Sequence, residues 1–182
     1  MKRIENYILR FFSMVDGVAA IEMAFIFPVL LLIYLSVFEI TMLYTFSKRL
    51  TRVSSYIGDI VAQETLVSKQ YFQGFKKFSD ATMYPYVNND CSINISGYWI
   101  DKNKKSLEKW HWSSGTVNNK QNLDIPYSIK DYSTFIVRAE VSMTYHPIIL
   151  SIILPKNLDN IVFDKVFYYR QRLGDEVVCK DC

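Results

Sequence analysis

Glycine is scarce in this chain, with six among 182 residues. No glycine-rich phosphate loop and no GxSxG elbow can be found. Histidine is scarcer still. His111 and His146 are the only two, neither belongs to an HExxH or other paired-ligand spacing, and each reads as a structural or surface residue among aromatics. No catalytic set can be assembled, apart from a bare pairing of Cys91 with a histidine, so a non-enzymatic protein without metal or cofactor is expected. Clustered positive charge is also missing: 21 Lys and Arg stand scattered against 18 Asp and Glu, a net +3. That lacks the footprint of a nucleic-acid surface, and no nucleic-acid partner is expected. There is no internal repeat and no low-complexity tract.

Cysteine is absent until position 91, then occurs at Cys91, Cys179 and Cys182. This placement suits a domain exported to an oxidising compartment. Three thiols leave the pairing open. A bridge from Cys91 to Cys179 or Cys182 is expected ahead of a redox or metal role for the CxxC at Cys179 to Cys182. Aromatics are plentiful, with thirteen Tyr and twelve Phe, which argues for a folded region.

What the chain has in abundance is one long apolar run. From Val18 to Phe46 the charges are Glu22 and Glu39 alone. At about 1.5 Å per helical residue the stretch between them nearly covers a hydrocarbon core of about 30 Å, so a single membrane span is expected. The small residues Gly17, Ala19 and Ala20 precede the run. A signal peptide has them after it, so the span is expected to remain in the mature chain. Three basic residues before it (Lys2, Arg3, Arg10) face three just after it (Lys48, Arg49, Arg52), and the positive-inside count leaves orientation open. An acid at a span's centre costs about 2.5–3.5 kcal/mol and less near its ends. Glu22 therefore reads either as an interfacial acid near a helix N-terminus or as the partner of a cation inside the membrane. Pro28 removes a helix hydrogen bond and is expected to kink the span.

The order Gly17-Val18-Ala-Ala-Ile-Glu22-Met-Ala-Phe-Ile-Phe-Pro28-Val-Leu-Leu-Leu resembles the opening of TadE-like pseudopilins, pilin-like proteins of the tight-adherence (Flp) pilus secretion system of bacteria. Weaker likenesses follow at Arg52 to Gln63, at Phe135 to Pro147, and at Phe167 to Arg172, where Gln171 stands in place of the family's proline. The resemblance implies that a prepilin peptidase cuts between Gly17 and Val18. Glu22 would then meet the new N-terminal ammonium of a neighbouring subunit. It implies a minor pseudopilin acting in pilus assembly and surface adherence. Its partners would be the inner membrane, the peptidase, other pilin-like subunits and the assembly machinery. The protein would be single-pass in the bacterial inner membrane with a periplasmic C-terminal domain. The alternative is an unprocessed single-span protein whose exported domain binds a ligand or partner.

Beyond the span, Leu50, Val53, Ile57, Ile60 and Val61 recur at helical spacing. A second helix is expected over Gln70 to Tyr84, with Phe72, Phe75, Phe78 and Met83 inward and Pro85 ending it. Alternation marks strands at Ser92 to Ile100, Leu107 to Trp112, Thr134 to Tyr145 and Val162 to Arg172. A loop is expected over Ser113 to Asn122 and a helical turn near Pro126. Trp110 and Trp112 read as core or as one side of a packing surface, with a glycan platform as the alternative, and Arg138 and Glu140 as a local pair on one strand face. The expected fold is α+β, a long N-terminal transmembrane and stalk helix packed on a small antiparallel sheet. Its parts are a leader at 1–17, a span at 18–46, stalk and second helix at 47–85, and a periplasmic sheet domain at 86–182.

Overall fold

A computed structural model describes residues 15–86, 91–115, 125–126, 129, 133–147 and 160–182, with side chains from Val18 onward. The leader expected at 1–17 lies almost wholly outside them. The chain divides between Met42 and Leu43 into two units, both entered by helix α1, Val15–Val61. In the first unit every residue from Val18 to Tyr34 is exposed. This is one helix among the described residues long and apolar enough to cross a membrane. The helix continues through Pro28.

The second unit is a four-stranded antiparallel sheet with two helices on one face. In α1 the residues Phe46, Leu50, Val53, Ile57 and Val61 are fully buried, one stripe at helical period. The stripe lies under the strands β4 (Thr134–Tyr145) and β5 (Ile161–Arg170). Phe46 stacks edge-on against Tyr145 and Phe163, and the Ser54 hydroxyl reaches Lys165 O at 2.9 Å and Ala139 O at 3.3 Å. Gly58 lies so close to the sheet that a Cβ there would stand 2.6 Å from the Tyr169 ring.

After the two-residue strand β1 (Leu66–Val67) comes α2, Lys69–Met83. Ser68 caps it by accepting from Tyr71 N–H, 3.3 Å. At the other end Arg49 donates to the carbonyls of Thr82 and Tyr84, groups that a helix end leaves without partners. Phe72, Phe75 and Met83 are buried as the period demands. Phe78 differs from expectation: it is half-buried and stacks on Tyr56 of α1.

The sheet order is β3-β2-β4-β5, with β2 at Ser92–Ile100 and β3 at Ser106–Ser114. Alternation assigns Ile93, Ile95, Phe135, Val137, Ala139, Val141 and Met143 to the helix side, and all are buried. Gly97 makes one contact possible. A Cβ there would fall 2.5 Å from both Trp110 and Phe135. Without it, Trp110 lies flat enough to stack on Phe72 and Phe135, and Trp112 also stacks on Phe72. Trp110 is core, as expected, and Trp112 is half-buried.

The opposite face is polar yet buried. Ser92, Asn94, Ser96 and Arg138 are each under one-tenth exposed, and across β2 and β4 Ser92 stands opposite Ser142, Asn94 opposite Glu140 and Ser96 opposite Arg138. Arg138 pairs with Glu140 at 2.9 Å, the local pair expected. Burial pulls the guanidinium down, but Glu140 and Tyr168 outweigh it and hold it above its ordinary range. Farther along, Tyr98, Ile100 and Ile136 pack with Ile125. The loop and helical turn expected between Ser113 and Lys130 fall largely outside the described residues. Within them β3 extends to Ser114 and Ile129 N–H donates to Pro126 O.

The tail closes the unit. Strand β6 (Val178–Cys179) runs parallel to β1, a pairing too short for alternation to reveal.

Candidate functional site

The residues marked as an assembly segment all lie on α1. Gly17 and Val18 are in its first turns, since the helix begins at Val15. Val18 and Glu22 are four apart, which puts them on one helix face about 6 Å apart along the axis. Both are exposed. So are the large apolar side chains between and beyond them, from Ile21 and Met23 through Phe25, Phe27 and Leu30. Polar groups farther along are turned inward on the backbone: the Ser36 hydroxyl donates to Leu32 O and that of Thr41 to Val37 O, each at 2.8 Å. That satisfaction matters in hydrocarbon, where an unmet hydroxyl is penalised. Glu39, the other acid of the run, is buried.

The residues considered for chemistry are dispersed. His111 sits half-buried on β3 and His146 is exposed just after β4. The Cys91 thiol meets Ser79 at 3.2 Å rather than a histidine. Burial pushes that thiol up, against smaller opposing effects of Ser79 and Lys76.

The cysteine pairing departs from expectation. Cys179 is bonded to Cys182, and Cys91 is free and buried. The reason is local. Cys91 just precedes β2 with its side chain enclosed against α2, whereas the tail turn brings Cys182 back beside Cys179. Cys179, Asp181 and Cys182 form the metal-compatible cluster found among the described residues, but the two sulfurs are spent on each other.

Arg170 to Arg172 fastens the end of β5 to α1. Arg172 pairs with Asp59 at 2.6 Å and its N–H meets Ala62 O. Gln171 donates from its backbone N–H to Phe135 O at 3.0 Å and from its side chain to Glu64 O at 2.8 Å. A proline at that position has no N–H and makes neither bond.

The sequence model of the TadE-like protein family matches residues 17–55. The exposed N-terminal helix is similar to TadE-like proteins over this stretch. The match opens at Gly17 and takes in Val18, Glu22, Pro28 and the first part of the packed stripe through Ser55. The likeness is confined to this segment and does not extend into the sheet. No curated protein and no solved structure matches the chain. Missed by sequence reasoning were the bonds tying the tail to residues 62–69, whose partners lie over a hundred positions apart.

Proposed function

We propose that this chain is a minor pseudopilin of the tight-adherence (Flp) pilus system. A prepilin peptidase cuts between Gly17 and Val18. Residues 18–46 anchor the product in the inner membrane, kinked at Pro28, with the stalk and sheet domain periplasmic. The observation that carries the reading is the exposed apolar helix whose acid lies one turn beyond Val18, inside the segment that matches the family.

The physical case concerns charge. Cleavage creates an ammonium at Val18, in or near the apolar layer with the Glu22 carboxylate. Two separate charges there are each penalised. A neighbour's ammonium set against Glu22 cancels both, in a medium where the attraction is barely screened. Mispaired subunits leave both charges bare, so the pair selects register. Pilin-like subunits and the assembly machinery are the partners, and surface adherence is the outcome.

Mass spectrometry of the mature chain tests the cut. A new N-terminus at Val18 is expected in cells carrying the peptidase, and Gly17→Ala is expected to abolish it; an intact leader in such cells would sink the claim. Glu22→Ala is expected to insert normally while losing pilus assembly, and full piliation in that variant removes the ion-pair argument.

A further inference from the structure

The C-terminal tail is tied to the α1–α2 connection at successive points. Val178 N–H donates to Thr65 O and Lys180 N–H to Val67 O, each 3.0 Å. Lys69 N–H donates to Asp181 Oδ1 at 2.8 Å. That amide is among the first of α2, and a carboxylate is favoured there by charge and by the helix dipole. The Cys179–Cys182 disulfide closes over Lys180 and Asp181 with a sequence separation of 3.

A ring that small restricts little of the unfolded chain, so general stabilisation is a weak reason for it. Its local effect is larger, because it bends the tail so that Asp181 faces Lys69. It is also open to attack, with Cys182 exposed and Cys179 only half-buried. We infer that Cys179–Cys182 is a thiol–disulfide exchange site, opened by a dithiol reductant and closed by a disulfide oxidant, whose state latches or frees the C-terminal tail.

The exchange balances without any further reactant. One thiolate of the dithiol attacks Cys182 Sγ. The Cys179–Cys182 bond breaks and Cys179 leaves with the electron pair and takes a proton. The second thiolate of the dithiol then attacks the mixed disulfide and releases Cys182. The protein gains two electrons and two protons, and the dithiol ends as a disulfide. Opening the latch frees the Lys69 amide and loosens one wall of a cleft of about 600 Å³, lined on the tail side by Gly174, Asp175, Glu176 and Val178 and facing Trp99 and Lys109. Cys91 takes no part, being enclosed against α2.

The test uses the full chain in detergent micelles, with dithiothreitol as the probe. Maleimide labelling is expected to mark Cys179 and Cys182, and not Cys91, in the folded protein after reduction. Amide exchange at residues 65–69 and 177–181 is expected to rise about tenfold or more while β2 and β4 stay protected, as local opening requires. Cys182→Ser is expected to show the same fast exchange without reductant. Reduction only in denaturant overturns the inference. So does reduction that leaves residues 65–69 as protected as before, or that deprotects the whole sheet.

Discussion

Gly97 and Gly74 invite the same substitution with opposite results. At Gly97 a methyl group would meet Trp110 and Phe135 at 2.5 Å. Neither ring has room to retreat: Phe135 is buried between strands and helices, and Trp110 is held by its indole N–H on Val177 O at 2.7 Å. Overpacking of this kind costs about 1–3 kcal/mol. Moving Trp110 instead strands a buried carbonyl, at about 1–3 kcal/mol. Replacing glycine in a strand returns about 0.5–1 kcal/mol of backbone entropy. Gly97→Ala is therefore expected to destabilise the domain by about 0.5–2 kcal/mol, a fall in Tm of about 1–8 °C for a unit of this size. At Gly74, in the middle of α2, a Cβ meets nothing within 4 Å. Gly74→Ala is expected to add about 1 kcal/mol of helix propensity and raise Tm by about 2–4 °C. Thermal unfolding of the full chain in micelles, followed by tryptophan fluorescence, reads both. A Gly97→Ala protein as stable as wild type, or a Gly74→Ala protein that falls with it, would refute the reasoning.

The buried ion pair is expected to respond unevenly. Glu140→Gln leaves Arg138, the drier member with 9% of its side chain exposed against 21%, charged and unmatched, and is expected to cost about 3 kcal/mol in urea unfolding. Arg138→Met leaves the wetter acid and is expected to cost less; the reverse order would refute the assignment. Tyr71 supplies a pH test. Burial, then Glu64, pushes its phenol from 10.0 up to about 12. The folded state thus holds the proton more tightly than the unfolded one, so this contribution is intact below pH 10 and is lost as pH climbs toward about 12. Urea midpoints should fall less steeply over that window in Tyr71→Phe than in wild type; parallel curves contradict it.

Much of the fold is legible because periodicity reports which side of an element meets the core. The stripe from Leu50 to Val61, Phe72 and Phe75 of α2 and the alternation of β2 and β4 all follow from that rule. Periodicity does not report what covers the other side. Ser92, Asn94 and Ser96 are outward from the helices, yet they are buried. The cysteine pairing was hidden for a related reason. Spacing supplies candidates, whereas the partner depends on the tail turning back at Asp181 and on Ser79 facing Cys91. In the first part of α1 the glycine, the acid and the apolar run were plain in sequence, because order along the chain alone specifies an exposed apolar helix.

The pairing of β1 with β6 has a consequence for how the chain is made. Leu66 and Val67 emerge early, but their partners Val178 and Cys179 follow more than a hundred residues later. Loops that long close late, and contacts between distant residues slow folding. Throughout synthesis of the sheet the α1–α2 connection therefore waits open, with the Thr65 and Val67 carbonyls and the Lys69 amide bonded to water. A chain arrested before Val177 should carry a formed α1 and a protease-sensitive site at residues 65–69, which makes that short connection a gauge of whether the last strand has arrived.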